Sequence, residues 1–315
     1  MRPVVNSNPV DIIATLPVAA GNGAFIITDP RGTRTDAFLM MSATAFYRLD
    51  VTGGGLQRLP NPPAGLAFGA GVAPAWDASI NAIFVLGPGA GGGVDSWFAR
   101  YTYTTGVWLI RDSASLDVLL PGTLGLDATL THPCTTVGAA ASDDFIYAAL
   151  GANAAASLIC PRYTKGGDAW VSVPPANRLV ATGAGATMTW LWGHSPDLIF
   201  SLDGTGVGTA EAYGIAGNAW GAAVPVPPFT ALPAAGTCAC ASPRGDFLYF
   251  RLNATGGIYS YNRVTNDVTL VAQMYGADGT ATVGSKMAVV QVDGVDYLLC
   301  LVNGSTQVQR IRIVR

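Results

Sequence analysis

Residues 101–108 read YTYTTGVW: a tyrosine on a short apolar run, a Thr/Gly turn, and a tryptophan seven residues after the tyrosine. The same spacing returns in YTKGGDAW (163–170) and YGIAGNAW (213–220), more weakly in YNRVTNDV (261–268), and loosely from Tyr47 to Leu56 in YRLDVTGGGL. Two apolar runs joined by a short Gly/Asn/Asp/Thr stretch predict a β-hairpin. The five tyrosines lie 48 to 62 residues apart, and self-similarity at such a period marks a repeat architecture.

Working outward, a second block precedes each hairpin: a strand of small residues ends near a serine and an aromatic-rich strand follows. It reads APAWDASINAIFVL (73–86), GAAASDDFIYAAL (138–150), LWGHSPDLIFSL (191–202) and CACASPRGDFLYFRL (238–252), with Ser79, Ser142, Ser195 and Ser242 at the turns. AFIITDPRGTRTDAFLMM (24–41) and KMAVVQVDGVDYLLCLV (286–302) are divergent first and sixth copies. Each unit supplies four short strands, which makes it one blade of a β-propeller. The expected fold is all-β, a single six-bladed propeller over 1–315, with blades near 22–60, 70–111, 134–173, 185–225, 235–272 and 281–315. The last unit stops after its third strand, QVQRIRIVR (307–315), while an orphan segment, VDIIATLPV (10–18), stands ahead of the first blade. Pairing the two ends completes blade six and leaves neither strand an open edge.

Composition agrees. Charged residues are 12% of the 315, with nineteen Asp to one Glu and fifteen Arg to two Lys. Few good helix formers beside 39 Gly, 20 Pro and many Thr and Val argue for strands and turns. A net charge of −3 supplies no basic field for a phosphate backbone, so direct nucleic-acid binding is not expected. The N-terminal residues lack the order of a secretory signal and no apolar run of about 18 residues exists, so neither export by the general route nor a membrane span is expected. Five cysteines at irregular spacing predict free, buried thiols and no disulfide.

The Tyr-turn-Trp spacing, followed by the next inner strand, resembles kelch-type propeller repeats, although the kelch double glycine survives only in fragments such as Gly166-Gly167. The uncharged, Gly/Ala-rich character also resembles propeller parts of head and tail proteins of tailed bacteriophages. Folds alone do not name functions.

Candidate sites are weak. His132 and Cys134, with Cys238 and Cys240 on one inner strand, are the only residues that suggest a metal, but their spacing fits no zinc motif. Asp143, Asp144, Asp197, Asp246 and Asp293 fall in predicted turns, where aspartates bond to nearby backbone N–H groups. SLDGTG (201–206) is one imperfect match to the turns of sialidases, and Arg244-Gly245-Asp246 occupies a turn shared with other blades. No catalytic residue, metal site or cofactor is therefore assigned. The Tyr and Trp of the repeat read as core; Trp97, Trp190 and Trp192, less tied to it, are the candidates for exposed, ligand-binding aromatics. Loops 87–95, 151–156, 203–208, 253–257 and 302–305 are nearly uncharged and gather on one face. The other face collects Asp29, Arg31, Arg34, Asp50, Asp143, Asp144, Lys165, Asp168, Arg263 and Asp267. The neutral face is the expected footprint of protein partners, probed at Ala90, Ala154 and Val207. The expected function is a non-enzymatic structural or interaction propeller, a phage virion component such as a tail, nozzle-like or capsid-surface protein located in the virion. A carbohydrate- or receptor-binding module, with a glycan as partner, is the alternative.

Overall fold

The computed structural model describes residues 10–66, 68–69, 72–87, 97–111, 134–140, 143–149, 159–177, 186–191, 198–202, 209–221, 224–225, 237–244, 247–251, 256–265, 267–274 and 286–314. Among them are strands and turns and no helix, hence none long and apolar enough to cross a membrane. Strand β1 (Val10–Thr15) stands apart from the strands that follow it in sequence. Blade 1 is β2 (Phe25–Thr28), β3 (Asp36–Ser42), β4 (Ala45–Asp50) and β5 (Leu56–Arg58). Blade 2 is β6 (Ala73–Asp77), β7 (Ala82–Gly87), β8 (Trp97–Thr102) and β9 (Val107–Arg111). Blade 3 is β10 (Cys134–Ala140), β11 (Asp143–Ala149), β12 (Ile159–Thr164) and β13 (Ala169–Asn177). Blade 4 is β14 (Thr187–Leu191), β15 (Leu198–Leu202) and β16 (Thr209–Gly214), with the outer position shared by β17 (Ala219–Trp220) and β18 (Val224–Pro225). Blade 5 is β19 (Cys238–Ala241), β20 (Phe247–Arg251), β21 (Gly257–Asn262) and β22 (Asp267–Gln273). Blade 6 is β23 (Lys286–Val292), β24 (Val295–Leu301) and β25 (Gln307–Ile313), completed on the outside by β1.

Every blade is antiparallel, and the first strands touch in a ring: β2 meets β6, β6 meets β10, and so on through β14, β19 and β23 back to β2. This is a six-bladed propeller. Closure uses the N-terminal segment, since β1 pairs with β25 from Val10 opposite Ile311 to Thr15 opposite Gln307, with a bulge between Ile12 and Ala14. The chain then stays on the C-terminal turn: Leu16 N–H donates to Thr306 O at 2.7 Å and Ala20 N–H to Ser305 O at 2.9 Å.

The recurring hairpin has a local cause. Tyr101 lies directly opposite Trp108, Tyr163 opposite Trp170, Tyr213 opposite Trp220 and Tyr261 opposite Val268. Five residues after the first three tyrosines stand Gly106, Asp168 and Asn218, all at positive φ (68°, 47° and 49°), the left-handed conformation that Gly, Asn and Asp tolerate best. In two copies the same side chain closes the unit, because the hydroxyls of Tyr163 and Tyr213 donate to Asp168 and Asn218. The tryptophan rings lie 5.1 to 5.6 Å from their tyrosines, tilted contacts that contribute roughly 0.5–1.5 kcal/mol each beyond burial. Blade 1 departs from the expected register: Tyr47 faces Arg58, and it is Leu49 that faces Leu56, with Gly54 at φ 71° five residues on. The repeat starts there two residues later than the tyrosine suggests.

Strand alternation divides blade 1 into two faces. Ala37, Leu39 and Met41 of β3 with Ala45, Tyr47 and Leu49 of β4 pack toward blade 6, in a cluster that includes Leu16, Val290, Leu299 and Val308. Phe38, Met40 and Phe46 point the other way and meet Trp76, Tyr101 and Trp108 of blade 2. Further clusters join blades 2, 3 and 4, blades 4 and 5, and blades 5 and 6.

Candidate functional site

Antiparallel order places the turn between the first and second strands of a blade and the turn between its third and fourth at the same end. The charged residues of those turns therefore share one face of the disc. Several of them are engaged by turn backbone, by neutral side chains or by a partner charge. Asp29, almost fully buried, accepts from the backbone N–H groups of Arg31 (2.9 Å) and Thr33 (3.2 Å) and from the Thr33 hydroxyl. Asp77, fully buried, takes the Lys165 ammonium at 2.8 Å, and Asp168 takes Arg111 at 3.1 Å, so two ion pairs tie blades 2 and 3. Asp296 accepts from Tyr249 (2.7 Å) and Gln291 (3.1 Å) across blades 5 and 6. These carboxylates organise turns and interfaces.

At the axis, the turn between β2 and β3 folds over the inner strands. Gly32 (φ 68°) sits against blades 5 and 6, where a Cβ would come within 2.8 Å of Pro243 and 3.6 Å of Gln291. Beside it the Arg31 guanidinium lies 5.3 Å from the Trp190 ring of the opposite blade, a cation–π contact across the axis. Trp190, expected to be an exposed aromatic, is 2% exposed and packs in the apolar cluster of blades 2, 3 and 4. Trp97 is also corrected: it is 7% exposed, with Phe68 5.0 Å away. Its indole lies over Gly87, directly opposite in the ladder, where any Cβ would collide with the ring. Both tryptophans are core. The aspartates 143 and 144 are corrected as well, since the β10–β11 ladder continues through Ala139 opposite Asp144 and Ala140 opposite Asp143, which places both in the strand. Asp293, at φ 49°, does sit in a turn.

Between blades 1 and 2 the charged face holds a different arrangement. Asp36, the first residue of β3, is gripped by both oxygens: Arg34 donates through Nε (2.8 Å) and a terminal nitrogen (2.7 Å), and Arg48 of β4 donates through Nε. Burial pushes the Asp36 carboxyl up, but the hydrogen bonds and charges of Arg34 and Arg48 outweigh it and hold the group below its ordinary value of 3.8. The same bonds raise both arginines. Tyr103, in the turn after β8, carries both guanidinium groups against its ring, Arg34 at 4.8 Å and Arg48 at 5.6 Å from the centroid. Next to this cluster opens a pocket of about 270 Å³ lined by Arg48, Asp50, Gly55, Leu56 and Gln57. Asp50 is held ionised, chiefly by the Thr52 hydroxyl and N–H on its Oδ1 at 2.6 and 2.9 Å. Sequence reasoning noticed Arg34 and Asp50 as turn charges but missed Asp36, Arg48 and Tyr103. The available signal was the alternation Arg48, Asp50 on one face of β4, opposite Gln57.

Three thiols, Cys238, Cys240 and Cys300, share the apolar cluster of blades 5 and 6 with Met274 and Met287. Burial pushes Cys300 up to about 12 from 9.0 and raises the other two. Protonated, enclosed thiols of this kind are poor nucleophiles and poor ligands. Among the described residues no group of three or more His, Cys, Asp or Glu is placed to hold a metal ion. Ala90, Ala154, Val207, Trp192, His132, His194, Asp197, Gly245 and Asp246 lie outside the described residues.

No protein-family model matches this chain, and no curated protein matches it. Solved structures do. One is a structural-genomics protein of unknown function from Bacteroides thetaiotaomicron, with a TM-score of 0.62 and 8% identity over 97% of this chain and 76% of that one. That likeness is one of fold.

Proposed function

We propose that this chain is a non-enzymatic interaction propeller, a subunit that stands among other proteins in a larger assembly. The observation that carries the reading is the outer rim of blade 2. Its last strand, β9, exposes Val107 (47%), Leu109 (41%) and Ile110 (54%). β1 adds Val10 and Ile12, and β5 adds Leu56. Apolar side chains on outermost strands favour coverage by a partner. The turn aspartates Asp29, Asp77, Asp168 and Asp296 are engaged in holding turns and blade interfaces, which supports the non-enzymatic half of the proposal. Among assemblies, the low charge and Gly/Ala-rich character, which resemble those of propeller parts of tailed-phage head and tail proteins, favour a virion component.

Purified particles from the source should contain the chain in fixed stoichiometry by mass spectrometry, with cross-links mapping to β9 or to loops 87–95, 151–156 and 203–208. Leu109→Asp with Ile110→Asp should leave the melting temperature of the isolated chain within a few degrees while reducing its incorporation several-fold. A chain missing from every purified particle and monomeric at high concentration would overturn the proposal.

A further inference from the structure

We infer that the pocket formed by β4, β5 and their turn in blade 1, on the charged face, binds the carboxylate of an acidic sugar, a single uronate-type ring. This goes beyond the assembly reading and does not depend on it. Arg48 is the anchor. Its Nε is spent on Asp36 and its plane is fixed against Tyr103, yet neither terminal nitrogen makes a hydrogen bond among the described residues, and the side chain is 35% exposed at the pocket wall. A guanidinium held at Nε and presenting its two outer N–H groups is pre-organised for a planar carboxylate.

The neighbours select what carries that carboxylate. Asp50 is ionised and lines the same pocket. Thr52 and the Gly53 N–H take part of its acceptor capacity, and a carboxylate, with about four lone-pair sites, keeps room for a hydroxyl. Gln57, across the ladder from Arg48, adds an amide that both donates and accepts. Arg34 and Arg48 are balanced in formal charge by Asp36 and Asp50, so the site does not favour a dianion such as phosphate. A monoanion that also bears vicinal hydroxyls uses the arginine and the aspartate together. The volume of about 270 Å³ suits one sugar ring, just below the usual range for drug-sized ligands.

Isothermal titration of the full chain with galacturonate, galactose, acetate and inorganic phosphate tests this directly. Galacturonate should bind saturably, and each of the other three at least roughly tenfold more weakly. Arg48→Gln should abolish galacturonate binding, and Arg48→Lys, which keeps the charge and loses the fork, should weaken it roughly tenfold. Asp50→Asn should weaken galacturonate several-fold without weakening acetate. Arg58→Gln, an exposed arginine of β5 bonded to Thr44 O, should change nothing. Melting curves establish that each variant is folded, and Gln57→Ala, at an exposed position, keeps the test open if Arg48 variants do not fold. Absence of saturable galacturonate binding, equal binding by folded Arg48→Lys, or phosphate binding as tight as galacturonate would each overturn the inference. Because the isolated chain is titrated, its failure is separate from failure to join an assembly.

Discussion

The two faces of blade 1 do different work with the same alternating strands. Toward blade 6, every second residue of β3 and β4 is apolar up to the rim, and the packing they enter includes the segment that ties the N-terminus to the C-terminus. Toward blade 2, the same strands begin apolar and aromatic but end, at the charged face, in Asp36, Arg48 and Asp50. One face closes the ring; the other exposes hydrogen-bonding capacity at an opening. The difference arises from two or three positions near the strand ends, because the interior of both interfaces is already filled.

That contrast can be broken from either side. The largest effect is expected for Leu39→Ala, which removes a fully buried side chain from the face toward blade 6. Chemical denaturation should show a loss of about 2–5 kcal/mol, with galacturonate affinity unchanged in the folded protein. Asp36→Asn acts on the other face. It should cost about 2 kcal/mol, in the range of hydrogen bonds to charged groups and discounted for arginines that are 23% and 35% exposed. It should also change the acid limb. The folded pKa of Asp36 lies below its ordinary 3.8, so its contribution is complete above about pH 4 and is lost as the pH falls through the folded value. The variant should therefore lose less stability than the native chain between neutral pH and pH 3. A smaller effect, about 1 kcal/mol, is expected for Arg310→Met, which removes a donor to Val51 O at 2.9 Å on the closing face.

How much of this could be read in advance depended on the range of the interaction. The hairpin was legible because its cause is local: a residue that accepts positive φ five places after a tyrosine, and a tryptophan two places further. Closure was legible too, since one blade lacked a strand and one orphan segment matched the missing type. Trp190 was misread because it packs into the cluster shared by blades 2, 3 and 4, with Arg31 of the opposite blade on its ring, and no local pattern records either. Trp97 was misread although a signal existed, a glycine opposite it in the ladder. The Arg48 pocket was missed because an isolated arginine on a strand looks like an ordinary surface charge. Only the convergence of Asp36 from β3 and Tyr103 from the next blade gives it a fixed orientation.

Closure itself is tested most directly by native-state amide hydrogen exchange at Leu16 and Ala20, whose N–H groups donate to Thr306 and Ser305. If the N-terminal segment holds the ring shut, these amides exchange only through global unfolding, with the same opening free energy and denaturant dependence as amides at the centre of β24. Exchange at those two positions that is fast and independent of denaturant, while β24 stays protected, would show a fraying end and contradict closure by the N-terminal strand.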